Sequence, residues 1–196
     1  MFGGALEKAR KVHLARITGG RNILLIGEGN GRFLAQCVEA KEGGSITIVD
    51  SSAGMLASSR SRLGTMKVRT DLRFVCADFR AWPCASACYD TIVTHFFLDL
   101  FSPASQLRII QKVSQVATPE AWWADVDYHF HERSYWFHCI DWLQYRFDRL
   151  FSGIEASRHH DPTALLRSLG WRVCEERRMT RWPVTAQLMR RPPPCP

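Results

Sequence analysis

Three glycines at alternate positions follow the first apolar run of this chain, in the segment Gly27-Glu28-Gly29-Asn30-Gly31. Glycine lets the backbone turn sharply, and a ligand can lie against it without meeting a Cβ atom. A helix is predicted to begin directly after this turn, so its free N–H groups would face the same space. The spacing is G-x-G-x-G rather than the G-x-G-x-x-G of dinucleotide folds, which weakens the case for a pyrophosphate ligand. The segment therefore predicts a ligand-binding turn, with a tight turn that binds nothing as the alternative.

A carboxylate ends the next apolar run, where Asp50 stands about 20 residues beyond the glycine turn. A carboxylate at this position can accept hydrogen bonds from both ribose hydroxyls of a nucleoside. Asp50 would otherwise cap the helix that begins near Ser51 and Ser52. Because the glycine turn and the acid occur together, we favour the ribose role, with Ser51 and Met55 lining the pocket for the base.

Two further residues, Asp78 and Phe79, follow the third apolar run and extend the same pocket. An aspartate can accept a hydrogen bond from the exocyclic amine of adenine, and an aromatic ring can cover the face of the base. The alternative is a second helix cap and a core phenylalanine. We interpret the two residues as adenine contacts.

The fourth apolar run ends at Thr94 and His95, and Asp99 stands four residues after the histidine. His95 is the best candidate for a general base, because the ordinary pKa of histidine lies near neutrality. If the segment is helical, the two side chains share a face and Asp99 can orient the imidazole. Alternatively, His95 only packs beneath a ligand, since positioning alone can supply much of a rate enhancement.

Acidic side chains also mark the end of the fifth run, where Asp125 and Asp127 flank a valine. Side chains two positions apart on a strand share a face, so both can bind a cationic or hydroxyl-bearing substrate. Capping of the next segment is an equal alternative. His129 and His131 form an H-x-H pair, but no third ligand is evident, so no metal is expected.

These candidate residues all follow runs whose length and flanks predict strands. The predicted strands cover 22–26, 45–50, 72–77, 89–94, 121–126, 171–180 and 184–190, and the predicted helices cover 32–41, 53–63, 103–117, 133–151 and 161–170. Alternation of strand and helix predicts an α/β fold with a doubly wound, mostly parallel sheet and helices on both faces. The last two strands predict an antiparallel pair. Ligands of such sheets bind beyond the carboxyl ends of the strands, where the candidate residues stand.

The length of 196 residues fits one domain over residues 1–191, and the proline-rich tail 192–196 is predicted to lack regular structure. The 46% hydrophobic content excludes a disordered or fibrous protein, and no apolar run is long enough for a transmembrane helix. The net charge of +7 comes mainly from scattered arginines, which favours a solvated surface over a nucleic-acid partner. No secretory signal is recognisable, and seven cysteines without repeated CxxC spacing indicate free thiols in a reducing cytoplasm.

Four segments in order, NILLIGEGNGRF, TIVDSSAGML, FVCADFRAWP and YDTIVTHFFLDLF, resemble the class I S-adenosylmethionine-dependent methyltransferases over nearly the whole chain. The resemblance implies a seven-stranded sheet, S-adenosylmethionine as cofactor over the first two strand ends, and methyl transfer to an acceptor above the fourth and fifth. The roles that it implies are as follows: Gly27, Gly29 and Gly31 against the methionine part of the cofactor, Asp50 at the ribose, Asp78 and Phe79 at adenine, and Thr94 and His95 near the sulfonium and the acceptor. One position departs from the family, because Leu25 stands where an acid often precedes the first glycine. Glu28 either replaces that acid or faces solvent.

An aromatic helix is predicted at 133–151, within an insert at about 130–158, and its apolar stripe is wider than one packing face needs. The resemblance implies that an insert after the fifth strand lies over the acceptor site. We therefore interpret it as a lid, in which Trp136 and Ile140 contact an apolar or aromatic substrate. A homodimer interface and a membrane-surface helix are the alternatives.

The sequence thus predicts a cytoplasmic methyltransferase that moves a methyl group from S-adenosylmethionine to a small, largely apolar or aromatic molecule. An RNA methyltransferase, favoured by the charge, would bind RNA in a salt-dependent manner. An aminopropyl transferase would need an Asp-rich segment where this chain has Thr94-His95-Phe96-Phe97. A scaffold, or a protein that binds S-adenosylmethionine without catalysis, is the alternative from another class.

Overall fold

A computed structural model describes residues 2–128, 163–179 and 182–191 of the chain. The strands are β1 (Asn22–Ile26), β2 (Ser45–Asp50), β3 (Asp71–Cys76), β4 (Tyr89–His95), β5 (Ala117–Tyr128), β6 (Arg172–Arg178) and β7 (Val184–Arg190). The helices are α1 (Phe2–Lys11), α2 (Leu14–Thr18), α3 (Arg32–Ala40), α4 (Ala53–Leu63), α5 (Pro103–Val116) and α6 (Thr163–Ser168), with a short 3-10 turn at Leu98–Leu100.

The seven strands form one sheet in the order β3-β2-β1-β4-β5-β7-β6. Neighbouring strands from β3 to β5 are parallel, and β7 runs antiparallel to both β5 and β6. The predicted mostly parallel sheet with an antiparallel C-terminal pair is therefore confirmed. The strand order reverses between β1 and β4, because β2 and β3 lie on one side of β1 and β4 lies on the other. Ligands of such sheets bind at the carboxyl ends of the strands beside this switch point.

The central strand β1 is buried on both faces, because helices cover both sides of the sheet. Leu24 and Ile26 belong to the apolar cluster that includes α5 residues, whereas Ile23 and Leu25 belong to the cluster that includes residues of α3 and α4. An apolar run without polar alternation is what such a strand needs. Packing from both sides fixes the end of β1 and therefore the position of the turn that follows it.

Two buried indoles connect β5 to the C-terminal part of the chain. Trp123 packs edge-on against Trp171, with 5.2 Å between the ring centroids. The indole N–H of Trp123 donates to Thr94 Oγ1 at 2.8 Å, and that of Trp171 donates to Ser114 Oγ at 2.9 Å. Both buried donors are thus satisfied, and the edge of the parallel sheet is fixed to β4 and α5.

Two helices precede β1, and the sequence pattern does not predict them. Gly3 and Gly4 lower the helix propensity of the first segment, so its apolar stripe is weak. In the structure, Ala9 of α1 is buried against Val126 and Val184, at the carboxyl end of β5. Helix α1 therefore covers part of the sheet edge where ligands are expected.

One strand differs from its predicted bounds by more than two residues. Strand β5 begins at Ala117, directly after α5, rather than at 121. The polar segment Thr118-Pro119-Glu120 hides this start, and Glu120 has a positive φ of 64° where the pairing between β4 and β5 is irregular. The extension lies at the amino end of β5, away from the candidate site.

The predicted aromatic helix at 133–151, the insert at about 130–158 and the tail at 192–196 lie outside the described residues. They stay predictions, as does the single-domain organisation. In the described part of the chain, no helix is long and apolar enough to cross a membrane.

Candidate active site

The glycine turn joins β1 to α3, and Gly27, Gly29 and Gly31 have positive φ angles of 65°, 72° and 76°. A Cβ atom at Gly31 would lie 2.7 Å from the Cα atom of Ser59, so this glycine allows α4 to approach. A Cβ atom at Gly27 would collide with the ring of Phe97. A Cβ atom at Gly29 would meet no atom within 4 Å. The open face of the turn therefore lies at Gly29.

Glu28 turns inward and is only 6% exposed, which corrects the alternative that it faces solvent. Its Oε1 accepts hydrogen bonds from the backbone N–H groups of Phe33 at 2.9 Å and Leu34 at 3.1 Å. The carboxylate thus fills the anion position at the N-terminus of α3. A pyrophosphate there would meet a carboxylate instead of free N–H groups, which agrees with the absence of the dinucleotide spacing.

Burial raises the pKa of Glu28 to about 7, from an ordinary value of 4.5. The folded protein then binds this proton more tightly than the unfolded chain, so the stability that the group contributes is lost as the pH rises from about 4.5 to about 7. Glutamine at position 28 keeps an oxygen acceptor for the two N–H groups but does not titrate. Between pH 5 and pH 8, we expect the wild-type protein to lose about 2–3 kcal/mol more unfolding free energy than Glu28→Gln. Urea denaturation at both pH values measures this difference, and equal losses would contradict the shifted pKa.

Asp50 lies beside the open glycine. Its Oδ2 accepts a hydrogen bond from the backbone N–H of Gly29 at 3.1 Å, and its Oδ1 accepts one from the backbone N–H of Ser52 at 2.9 Å. The side chain of Ser52, not that of Asp50, caps α4 by accepting from the backbone N–H of Met55 at 3.3 Å. Asp50 is buried, and its carboxylate faces the glycine turn.

The structure brings only some of the residues predicted to contact adenine to one open surface. Ser51 is exposed and Met55 is half-buried beyond the end of β2. Asp78 is paired with Arg80 at 2.7 Å, and this guanidinium lowers the pKa of Asp78. Phe79 is 3% exposed and belongs to the apolar core. The ring packs in the apolar cluster that includes α5 residues, and its contact with adenine stays a prediction.

Thr94, near the carboxyl end of β4, is fully buried where β4 meets β5. Its hydroxyl donates to Asp125 Oδ1 at 2.6 Å and accepts from the indole N–H of Trp123. Burial raises the pKa of Asp125 to about 7. These contacts fix the carboxyl ends of the two strands relative to each other. They do not place Thr94 or Asp125 where a ligand can touch them.

His95 is 5% exposed, and its imidazole packs edge-on against Phe33 with 4.5 Å between the centroids. Neither ring nitrogen has a hydrogen-bond partner among the described residues. Burial, together with the charge of Arg10, holds the pKa of His95 well below its ordinary value. The gap beside the ring, which Leu25 and Glu28 also line, is too small for a water molecule. His95 is thus neutral, and its role as a base stays a prediction.

Asp99 lies in the 3-10 turn after β4 and pairs with Asp127 instead of His95. The two carboxyl groups are hydrogen-bonded to each other, and Asp127 Oδ2 also accepts from the backbone N–H of Asp99 at 3.0 Å. The predicted orientation of His95 by Asp99 is therefore wrong, because the turn directs the Asp99 side chain toward β5. Oδ1 of Asp99 is buried and has no partner within the described part of the chain.

The pKa values of Asp99 and Asp127 are both raised in the folded protein. Burial raises the pKa of Asp99 to about 6. Burial and the neighbouring charge of Asp99 raise the pKa of Asp127 well above its ordinary value. Asp99 Oδ1 takes no part in these contacts and can accept a hydrogen bond from a ligand.

Aromatic residues flank Asp99 and Asp127 in the sequence, although the motifs do not single them out. Phe96 lies 5.0 Å from Tyr128, and Phe97 lies 5.0 Å from Phe101, measured between ring centroids. Phe96 has a positive φ of 55°, a conformation that costs free energy in a residue with a Cβ atom and is concentrated at functional sites. The run of aromatic residues after β4 was the available signal.

The predicted substrate contacts Trp136 and Ile140 lie outside the described residues, as do His129 and His131. Among the residues that are described, no group of three or more His, Cys, Asp or Glu side chains is placed to hold a metal ion.

A family model described as a methyltransferase domain matches residues 23–120, which is half of the chain. The matched range contains the glycine turn, Asp50, Asp78 and Asp99. A comparison with curated proteins gives no match.

Solved structures of methyltransferases share the fold at low sequence identity. A mitomycin 7-O-methyltransferase has a TM-score of 0.72 and is 21% identical, over 96% of this chain and 54% of that chain. The 1,6-didemethyltoxoflavin-N1-methyltransferase of Burkholderia thailandensis, with bound 1,6-didemethyltoxoflavin and S-adenosylhomocysteine, has a TM-score of 0.70 and is 16% identical, over 96% of this chain and 78% of that chain. The N-methyltransferase NodS of Bradyrhizobium japonicum has a TM-score of 0.68 and is 14% identical, over 98% of this chain and 99% of that chain. This chain thus spans about half the length of the first of the three, and at these identities the likeness shows the fold.

Proposed function

We propose that this chain, which belongs to the methyltransferase-domain family, transfers a methyl group from S-adenosylmethionine to a small, largely apolar or aromatic molecule that carries a hydroxyl or amine group. The observation that carries the proposal is the carboxylate of Asp50 at the open face of Gly29. The acceptor would bind across the carboxyl ends of β4 and β5.

The residues of the turn fit an adenosyl ligand. Each oxygen of Asp50 accepts one backbone N–H group and keeps a lone pair for a ribose hydroxyl. Gly29 presents backbone without a Cβ atom, so the ligand can approach closely. When bound, S-adenosylmethionine supplies an electrophilic methyl group on a cationic sulfur. The protein must hold the acceptor in line with that methyl group and exclude water, and such positioning supplies much of the rate.

The acceptor side supports an apolar molecule with one polar group. The rings of Phe96, Phe97, Phe101 and Tyr128 offer apolar contacts, and Asp99 Oδ1 is an acceptor without a partner among the described residues. As the acceptor lone pair bonds to the methyl carbon, the electrons of the carbon–sulfur bond stay on sulfur, and Asp99 takes the acceptor proton. Two of the similar structures are named as methyltransferases of mitomycin and of 1,6-didemethyltoxoflavin, which supports a small-molecule acceptor.

Calorimetry and a transfer assay test the proposal. The protein should bind S-adenosylhomocysteine and should not bind NAD. With S-adenosylmethionine labelled in the methyl group, label should appear on members of a panel of phenols and aromatic amines. Transfer of label to RNA instead, or binding without transfer to any acceptor, would favour the RNA methyltransferase or the non-catalytic alternative.

Alanine at position 29 is expected to weaken the binding of S-adenosylhomocysteine at least about tenfold while the protein still folds. Its methyl group would enter the open space beside Asp50, and its positive φ costs only about 1–2 kcal/mol. Calorimetry measures the affinity, and urea denaturation measures the stability.

Gly31→Ala is the matched variant, with the same backbone strain but a Cβ atom 2.7 Å from the backbone of Ser59. We expect it to lower the free energy of unfolding by about 3 kcal/mol or more. Unchanged binding in Gly29→Ala, or the same loss of stability in both variants, would show that the ligand space does not lie at Gly29.

A further inference from the structure

Arg10, in the last turn of α1, is a half-buried cation with an unsatisfied donor. Its Nε atom is buried and has no hydrogen-bond partner among the described residues. The guanidinium lies over the ring of Phe96, with 5.2 Å from Cζ to the ring centroid. An unpaired buried donor on a charged group is costly, and a ligand carboxylate is the partner that a guanidinium binds best.

Arg10 lies near Glu28, the second residue of the glycine turn. Phe96, beneath the guanidinium, precedes Phe97, whose ring covers Gly27. The charge of Arg10 counteracts the rise in the pKa of Glu28, so the two groups are near each other. Asp50, by contrast, contacts Gly29. A ligand whose ribose binds Asp50 and whose chain follows the turn toward Gly27 would therefore end near Arg10.

The turn itself offers no free charge for the amino-acid end of such a ligand. Leu25 is apolar and buried at the position where the family often has an acid. The carboxylate of Glu28 is bonded to the backbone N–H groups of Phe33 and Leu34. Recognition by charge at this end therefore falls to the cation that α1 supplies.

We propose that Arg10 binds the α-carboxylate of S-adenosylmethionine, so that α1 closes the amino-acid end of the cofactor site. This inference rests on the proposed function, and it assigns a binding role to the N-terminal helix. A guanidinium can donate two parallel hydrogen bonds to one carboxylate, which fixes the direction of the ligand as well as its affinity.

Calorimetry with two ligands tests Arg10. The first ligand is S-adenosylhomocysteine, and the second is its decarboxylated analogue, which keeps the amine and the adenosine. We expect Arg10→Gln to weaken the first about 10- to 30-fold and to change the second by less than about twofold. Arg10→Lys should restore part of the loss. Arg16→Gln is the control, because Arg16 lies over Trp122 in the middle of β5, and this variant should bind both ligands normally.

The outcomes separate this inference from the proposed function. If Arg10→Gln weakens both ligands equally, the residue acts through the fold and the inference is overturned. Unchanged binding of S-adenosylhomocysteine by Arg10→Gln overturns it as well. If the wild-type protein binds neither ligand, the proposed function fails, and the inference fails with it.

Discussion

Alanine in place of Asp50 is expected to weaken the binding of S-adenosylhomocysteine at least about 100-fold, since each hydrogen bond to a charged group contributes about 1.5–3 kcal/mol and two ribose hydroxyls lose their acceptor. The carboxylate already faces the turn through its bond to the N–H of Gly29. It therefore needs no rearrangement to receive the ribose, and its removal acts directly on the ligand. Calorimetry on the wild-type and variant proteins measures the effect.

Asp50 also supports the local backbone, so the variant needs a control that loses comparable backbone contacts. Asp90 supplies this control. Its Oδ2 accepts from the backbone N–H groups of Arg21 and Asn22, each at 3.0 Å, at the amino ends of β1 and β4 and thus away from the candidate site. Asp90→Ala should lower the stability by a similar amount and leave the affinity unchanged. Similar losses of affinity in both variants would mean that Asp50 only supports the fold.

The strands of the sheet were predictable because each central strand is covered on both faces. A strand in that position is mostly apolar, as Ile23 to Ile26 are, and such runs are visible without knowledge of the fold. The start of β5 was not predictable in this way. Its first residues are polar and include Pro119, and only the pairing with β4 makes them a strand.

Several side chains of the candidate site turn in directions that no local pattern shows. Which residues follow each strand can be read from the sequence, but not what those residues face. Phe79 faces the core, where it packs in the apolar cluster that includes α5 residues. Glu28 binds α3 because the free N–H groups of that helix attract a carboxylate at short range. The direction of each side chain depends on neighbours elsewhere in the chain.

The position of helix α1 is even harder to predict from local sequence patterns. Its contacts join the beginning of the chain to β5 and β7, so the reason for its position lies more than 100 residues away in the sequence. A scattered arginine such as Arg10 is indistinguishable from a solvated one until this packing is known. The net charge of +7 therefore gave no hint of a cation beside the site.

Asparagine in place of Asp99 is expected to slow methyl transfer about 100- to 10,000-fold, the range that a positioned proton acceptor supplies. The acceptor used is the one identified in the labelling assay. The asparagine side chain has nearly the shape of the aspartate but cannot take a proton, so the turnover number should fall while the affinity for S-adenosylhomocysteine stays unchanged. The acid limb of the pH–rate profile should vanish as well. In the wild-type protein, burial raises the pKa of Asp99 to about 6, so the rate should fall as the pH drops through that value and protonates the base.

Asp125→Asn is the matched control for this experiment. Asp125 is buried nearby and accepts a hydrogen bond from Thr94, a bond that the carbonyl oxygen of asparagine can also accept. Its turnover number should therefore stay within about tenfold of the wild-type value, because no acceptor proton passes to it. An Asp99→Asn variant that keeps both its rate and its acid limb would leave the aromatic rings and Asp50 as a binding site, in which transfer depends on positioning alone.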